Sequence, residues 1–169
     1  MLRSVPQTTG PASRRHMHAG APIWRAEPDL ASRFAQSGGV VTGERLAELL
    51  RGALSAGDGA ASAAAVGQPI SVVARWIVSR GALAFHCPQG WLLPMFQFDL
   101  VGASPSILRP GVASVLAELG EVYEGVELAL WFVTPNNWLS GAQPAQVLRG
   151  NPEAVLQAAR ADRYVACGD

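Results

Sequence analysis

The sequence predicts an α+β chain, mostly α-helical, with one β-hairpin near its middle. Three observations carry this. Apolar residues recur three and four apart, as in Leu46, Leu49 and Leu50 or Val112, Val115, Leu116 and Leu119, the period of a helix with one buried face. Between Ala82 and Asp99 the period changes, and the runs "ALAFHC" and "WLLPMFQFD" flank the turn "CPQG". Hydrophobic residues make up 49% of the 169 and charged residues 15%, enough apolar mass for a core and too little charge for global disorder.

Taken in order, residues 1–26 are rich in Pro, Gly, Ser and Thr without a hydrophobic period, which predicts a disordered tail. The segment "EPDLASRFAQSG" predicts a short helix, with Pro28 in its first turn and Leu30 and Phe34 on one face. A second helix starts at Thr42 as N-cap, and Gly52 is its expected stop. "ALSAGDGAASAAAVGQ" is ambiguous between an Ala-rich helix and a linker. A third helix begins at Pro69 and turns Val72, Val73, Trp76 and Ile77 inward. In the hairpin, Pro88 suits the second place of the turn and Gly90 closes it. Pro94 cannot donate to a ladder, so its strand is an edge or ends there.

Beyond the hairpin the chain is helical again. One helix opens at Pro110, and another runs from about Tyr123 to Val133 and stops before Pro135. Two more start at Pro144 and at Pro152, the last capped by Asn151. The expected organisation is a tail over 1–26, a helix-and-hairpin module over 27–99 and a helical module over 100–169.

Charge and cysteine exclude several classes. The 13 basic residues, all Arg, balance 13 acidic ones, so no overall field favours nucleic acid or an anionic membrane. Residues 100–169 carry four Arg against seven acids, an excess that suits a basic partner. Cys87 and Cys167 are expected as free thiols of a reducing cytosol. The longest apolar run, "LALWFV", is far short of the roughly 20 residues of a membrane helix.

Catalytic signatures are missing. There is no G-x-S-x-G elbow, Gly-rich phosphate loop or H-E-x-x-H. His86 beside Cys87, and His16 with His18, lack the paired four-ligand spacing of a zinc site. Glu118, Glu121, Glu124 and Glu127 recur at spacing three, so part of this run is expected to line one helix face, and a solvated face explains it without a carboxylate pair. Phe85, Phe96 and Phe98 read as core, as does Trp91, rather than as a base-stacking platform. The expectation is a chain without catalytic residues, cofactor or metal. An enzyme would instead require His86 or Cys87 in a deep polar pocket.

The three helices and hairpin of residues 28–99 resemble a winged helix-turn-helix, in which one helix enters the major groove of DNA. The Arg residues available for this are Arg45, Arg51, Arg75 and Arg80. The competing reading is a dimerisation or packing module with a solvated polar face.

The most specific stretch is "WFVTPNNWLSGAQPAQVLRGNPEAVLQAA", residues 131 to 159. Trp131, Asn136, Asn137, Leu139, Gly141, Pro144, Leu148 and Gly150 form an aromatic helix end, an Asn loop, Leu-x-Gly-x-x-Pro and Leu-x-x-Gly, followed by an Ala-rich helix. Gly141 permits a tight turn, Pro144 presets a helix start, and Trp131, Leu139 and Leu148 anchor the short helices. Over about residues 92–165 this pattern resembles the toxin-binding domain of the Xre/MbcA/ParS-type bacterial antitoxins. The resemblance implies a cytoplasmic protein that binds a cognate toxin, commonly of the NAD-consuming RES type, and blocks it with its C-terminal region. Carried onto this chain, the contact residues would be Asn137, Trp138, Arg160, Arg163 and Tyr164. It further implies an N-terminal half that binds operator DNA, as a homodimer, to regulate its own operon. Here the hairpin departs from the family's all-helical DNA-binding module. The alternative is a stand-alone transcription regulator without a toxin partner.

Overall fold

Prolines or side-chain caps mark four of the helix starts among the described residues. The computed structural model describes residues 30–56, 68–88, 90–100 and 107–168. Its helices are α1 (Leu30–Arg33), α2 (Gly43–Ala56), α3 (Pro69–Val78), α4 (Val112–Leu119), α5 (Gly125–Val133), α6 (Pro144–Val147) and α7 (Pro152–Cys167). The strands are β1 (Val40–Thr42), β2 (Phe85–Cys87) and β3 (Gly90–Pro94). The expected tail, including His16 and His18, and most of the Ala-rich segment fall on residues 1–29 and 57–67, outside the described residues.

Thr42 caps α2 through its Oγ1, which accepts from the Arg45 N–H at 3.2 Å. Asn151 caps α7 through its side chain, which accepts from the Ala154 N–H at 3.0 Å. The helices α3, α6 and α7 each carry proline in their first turn, as expected. α5 ends at Val133, with Thr134 extended ahead of Pro135.

Four expectations need correction. Of the helix expected over 27–38, residues 27–29 lie outside the described residues, and the rest is the α-helical turn Leu30–Arg33 followed by a 3-10 turn over Ala35–Ser37. The second helix does not stop at Gly52 but continues to Ala56. Gly52 is exposed and touches nothing, so it costs about 1 kcal/mol relative to alanine while Leu46 and Leu50 hold the helix down. The hairpin gains a third strand, β1, and the sheet order β1-β3-β2 makes β3 central, so of the two readings of Pro94's strand, edge or end, the second holds. Pro94 is the last residue of β3, where a missing donor is tolerated. Finally, the glutamate series does not share one helix face. The turn at Gly120 and the start of α5 at Gly125 divide it, leaving Glu118 on α4 and Glu127 on α5.

Two apolar cores form. The smaller joins Leu46, Leu50, Val73, Leu93 and Phe98, so α2 and α3 are laid on one face of the sheet. The larger joins Phe34, Phe85 and Phe96 to Val112, Val115, Leu119, Phe132, Leu148 and Val155. This second core crosses position 99, binding the helix-and-hairpin part to the C-terminal helices. Phe96 stacks on Phe132 with ring centroids 4.8 Å apart, which places one aromatic contact at the junction.

Gln97 lies between the two cores with no exposed surface. Its Oε1 accepts from the Leu83 N–H at 2.7 Å, and its Nε2 donates to Leu83 O at 2.8 Å and Pro94 O at 3.0 Å. The side chain acts as a strand partner for the segment after α3, satisfying backbone groups that no sheet neighbour reaches.

Gly111, the N-cap of α4, has φ +83°, and a Cβ there would lie 2.8 Å from the Pro152 Cβ. Left-handed strain and this clash combine against alanine. Gly111→Ala is expected to destabilise by ~2 kcal/mol or more, seen as a melting temperature lower by about 4–8 °C. Gly150→Ala, with open space around it, is the control, expected within about 0.5 kcal/mol of the parent.

Candidate functional site

The loop after α5 is built by one asparagine and locked by one aspartate. Asn136 is buried, and its Oδ1 accepts from the Trp138 backbone N–H at 2.8 Å, opening a 3-10 turn over Asn137–Leu139. The Gly141 N–H donates to Asn136 O at 2.9 Å, and the Asn136 N–H donates to Ala142 O at 3.1 Å. Ser140 and Gly141, both left-handed, turn the chain back toward α6.

Asp162, on α7, faces this loop. Its Oδ2 accepts from Trp131 Nε1 and from Asn136 Nδ2, both at 2.7 Å, and its Oδ1 accepts from Trp138 Nε1 at 2.9 Å. Three neutral donors converge on one partly buried carboxylate, each bond strengthened by its charge. Three of its roughly four acceptor sites are taken by donors of the loop and α5, so the arrangement ties α7 to the loop as a clamp.

Trp138 is held by its backbone and its indole N–H, yet the residue is 60% exposed. A large aromatic face is thus presented in a single orientation. Such a side chain loses little conformational freedom when a partner covers it, which favours it as a binding anchor. Asn137 beside it is exposed, and on α7 so are Tyr164 at 65% and Val165 at 67%.

The other expected contact residues behave differently. Arg160 Nε donates to Glu118 Oε1 at 2.9 Å, and Arg163 Nη1 lies 2.9 Å from Glu118 Oε2 and 3.3 Å from Glu121 Oε2. Both guanidiniums fasten α7 to the end of α4. Trp131 and Leu139 are partly buried, Pro144 and Leu148 are buried, and Gly141 is exposed with φ +81°. These five hold the loop in place and leave the exposed surface to Asn137 and Trp138.

No family model, curated protein or solved structure matches the chain. Its residues therefore speak for themselves.

Of the four Arg considered for DNA, two are on α2, one is on α3 and one is in the turn after α3. Arg45 is exposed on α2 and pairs with Glu48 at 2.8 Å. Arg51, six positions further, points to a different side of that helix. Arg75 is exposed on α3, and Arg80 follows it with φ 53°. His86 is exposed on β2 and meets the edge of Trp91 at 5.4 Å. Of the four hairpin aromatics, the three Phe are buried, whereas Trp91 is 46% exposed and is not core. Both cysteines are free, Cys87 buried and Cys167 exposed. Among the described residues no group of His, Cys, Asp and Glu could hold a metal ion, and no helix is long and apolar enough to cross a membrane.

Asp162 escaped the sequence reading. It stands in an Ala-rich helix between Arg160 and Arg163, a setting that reads as a solvated charged face. Its three partners lie 24 to 31 positions away.

Proposed function

We propose that this chain is an antitoxin-like binding protein that grips a cognate toxin through the loop–helix surface at its C-terminal end. The observation that supports this reading best is Trp138, exposed yet fixed by Asn136 and Asp162. Tyr164 and Val165 add exposed apolar area on α7. Arg160 and Arg163 serve the surface by holding α7 in register against α4, in addition to any contact of their own. The toxin class implied is the NAD-consuming RES type, occluded sterically.

The test is co-purification with the product of the neighbouring gene, followed by binding and NAD-consumption assays. Trp138→Ala is expected to weaken the complex by ~2 kcal/mol or more, about thirtyfold, with its melting temperature close to the parent's. Deletion of residues 160–169 releases the toxin and restores NAD loss. A complex indifferent to both changes, or no complex at all, would overturn the reading.

A second reading has its own support. The order α1-β1-α2-α3-β2-β3, with the sheet ordered β1-β3-β2, is compatible with a winged helix-turn-helix in which α3 is the helix presented to DNA. Operator binding by a homodimer, with or without a toxin partner, follows from it. In that case the logarithm of affinity falls with that of salt by ~0.9 per phosphate contacted. Arg75→Ala with Arg80→Ala flattens that slope, and a slope near zero for the parent would exclude the reading.

A further inference from the structure

On the side of the molecule formed by residues 79–128, the segment after α3, strand β2, α4 and the start of α5 enclose an open groove of about 1090 Å³. Its lining contains none of the residues assigned above to the toxin-binding surface. The groove exists because α4 turns Ala113 and Ala117 toward it, with Gly120 at the cap that ends the helix. Positions three and four apart on one helix face carry no side chain long enough to fill the space. The floor is apolar, with Leu83, Phe85 and Leu116 buried beneath.

The rim is mainly acidic. Glu121, Glu124 and Glu127 line it, and Arg80 is the only cation among the lining residues. Glu121 is shared with Arg163 at 3.3 Å. Neither Glu124 nor Glu127, both exposed, has an ion-pair partner among the described residues. Tyr123 and the exposed Trp91 supply aromatic faces on the same lining. Carboxylates beside aromatic faces attract the cationic heads of arginine and lysine, while the floor takes aliphatic carbons.

From this charge complementarity we infer that the groove is a docking site for a basic, aliphatic peptide segment of a partner protein. Its volume lies just above the roughly 300–1000 Å³ typical of small-molecule pockets, and it is open to solvent, which suits a length of chain better than a compact ligand. The site is separate from the Trp138 surface, so either can exist without the other.

The experiment uses the full chain and fluorescein-labelled synthetic peptides followed by anisotropy. The probe alternates leucine and arginine, and the controls replace arginine by glutamate or leucine by serine. The leucine–arginine peptide is expected to bind at least about tenfold tighter than either control. Glu124→Arg with Glu127→Arg weakens it about tenfold, and Ala117→Phe, which fills the groove from an exposed position, abolishes binding with the melting temperature retained. Trp138→Ala leaves it unchanged, which separates this site from the toxin surface. Equal binding of the serine–arginine peptide, or indifference to both groove variants, would overturn the inference. So would a dimer in sedimentation that Ala117→Phe dissolves, since the occupant would then be a second copy.

Discussion

Replacing Gln97 by leucine is expected to cost about 3–5 kcal/mol, a large part of the roughly 5–15 kcal/mol that keeps a domain folded. Leucine is close in size and more apolar, so burial alone favours the change. The loss lies in what it leaves behind. The Leu83 N–H and the carbonyls of Leu83 and Pro94 keep their places between two cores without partners, each at about 1–3 kcal/mol. Leu83 and Phe85 follow in the same segment and belong to the larger core, so the chain cannot swing out to find water without exposing them. In urea the midpoint should fall by about 2 M for a slope of 1–3 kcal/mol/M. A shift under about 0.5 M would mean that water reaches Leu83, and the clamp would then be a minor contact.

Gln97 also marks where sequence reading ends. α4 was legible because every residue its spacing turns inward, Val112, Val115, Leu116 and Leu119, is buried. The starts of α2, α3, α6 and α7 were legible because capping and proline chemistry act within one turn, as at Thr42 and Asn151, whereas α4, read as opening at Pro110, begins at Val112 after a left-handed Gly111. β1 was not, since three residues carry no period and its pairing with β3 spans some fifty positions. Gln97 reads as a polar residue in an aromatic run until its partners fourteen positions back are known. The same limit applied to the candidate surface. Trp131, Asn136 and Trp138 were singled out through the resemblance carried by residues 131–159, whereas Asp162 gained its role only when α7 packed against the loop. Arg160 and Arg163, read as interface anchors, spend part of their donor capacity on Glu118 and Glu121.

Asp162→Ala is the second large effect, expected at about 2–4 kcal/mol. The three lost bonds do not count equally. Asn136 is buried, so its Nδ2 is left unpaired at close to full cost. Trp131 is partly buried, and its indole N–H regains water in part. Trp138 is exposed and rehydrates readily, so its share of the stability loss is small. Its share of the functional loss is not, because the indole then samples several rotamers. Asp162→Asn keeps the size and one acceptor but sets an amide N–H against incoming donors, giving about half the destabilisation. Near-ultraviolet circular dichroism of the tryptophans and amide exchange over residues 134–142 check both variants. The toxin-binding reading adds a sharper contrast. Asp162→Asn weakens binding together with stability, whereas Trp138→Ala weakens binding with stability retained. If Asp162→Asn lowered stability yet left partner affinity intact, the clamp would hold the fold alone, and Trp138 would not be the anchor that this surface presents.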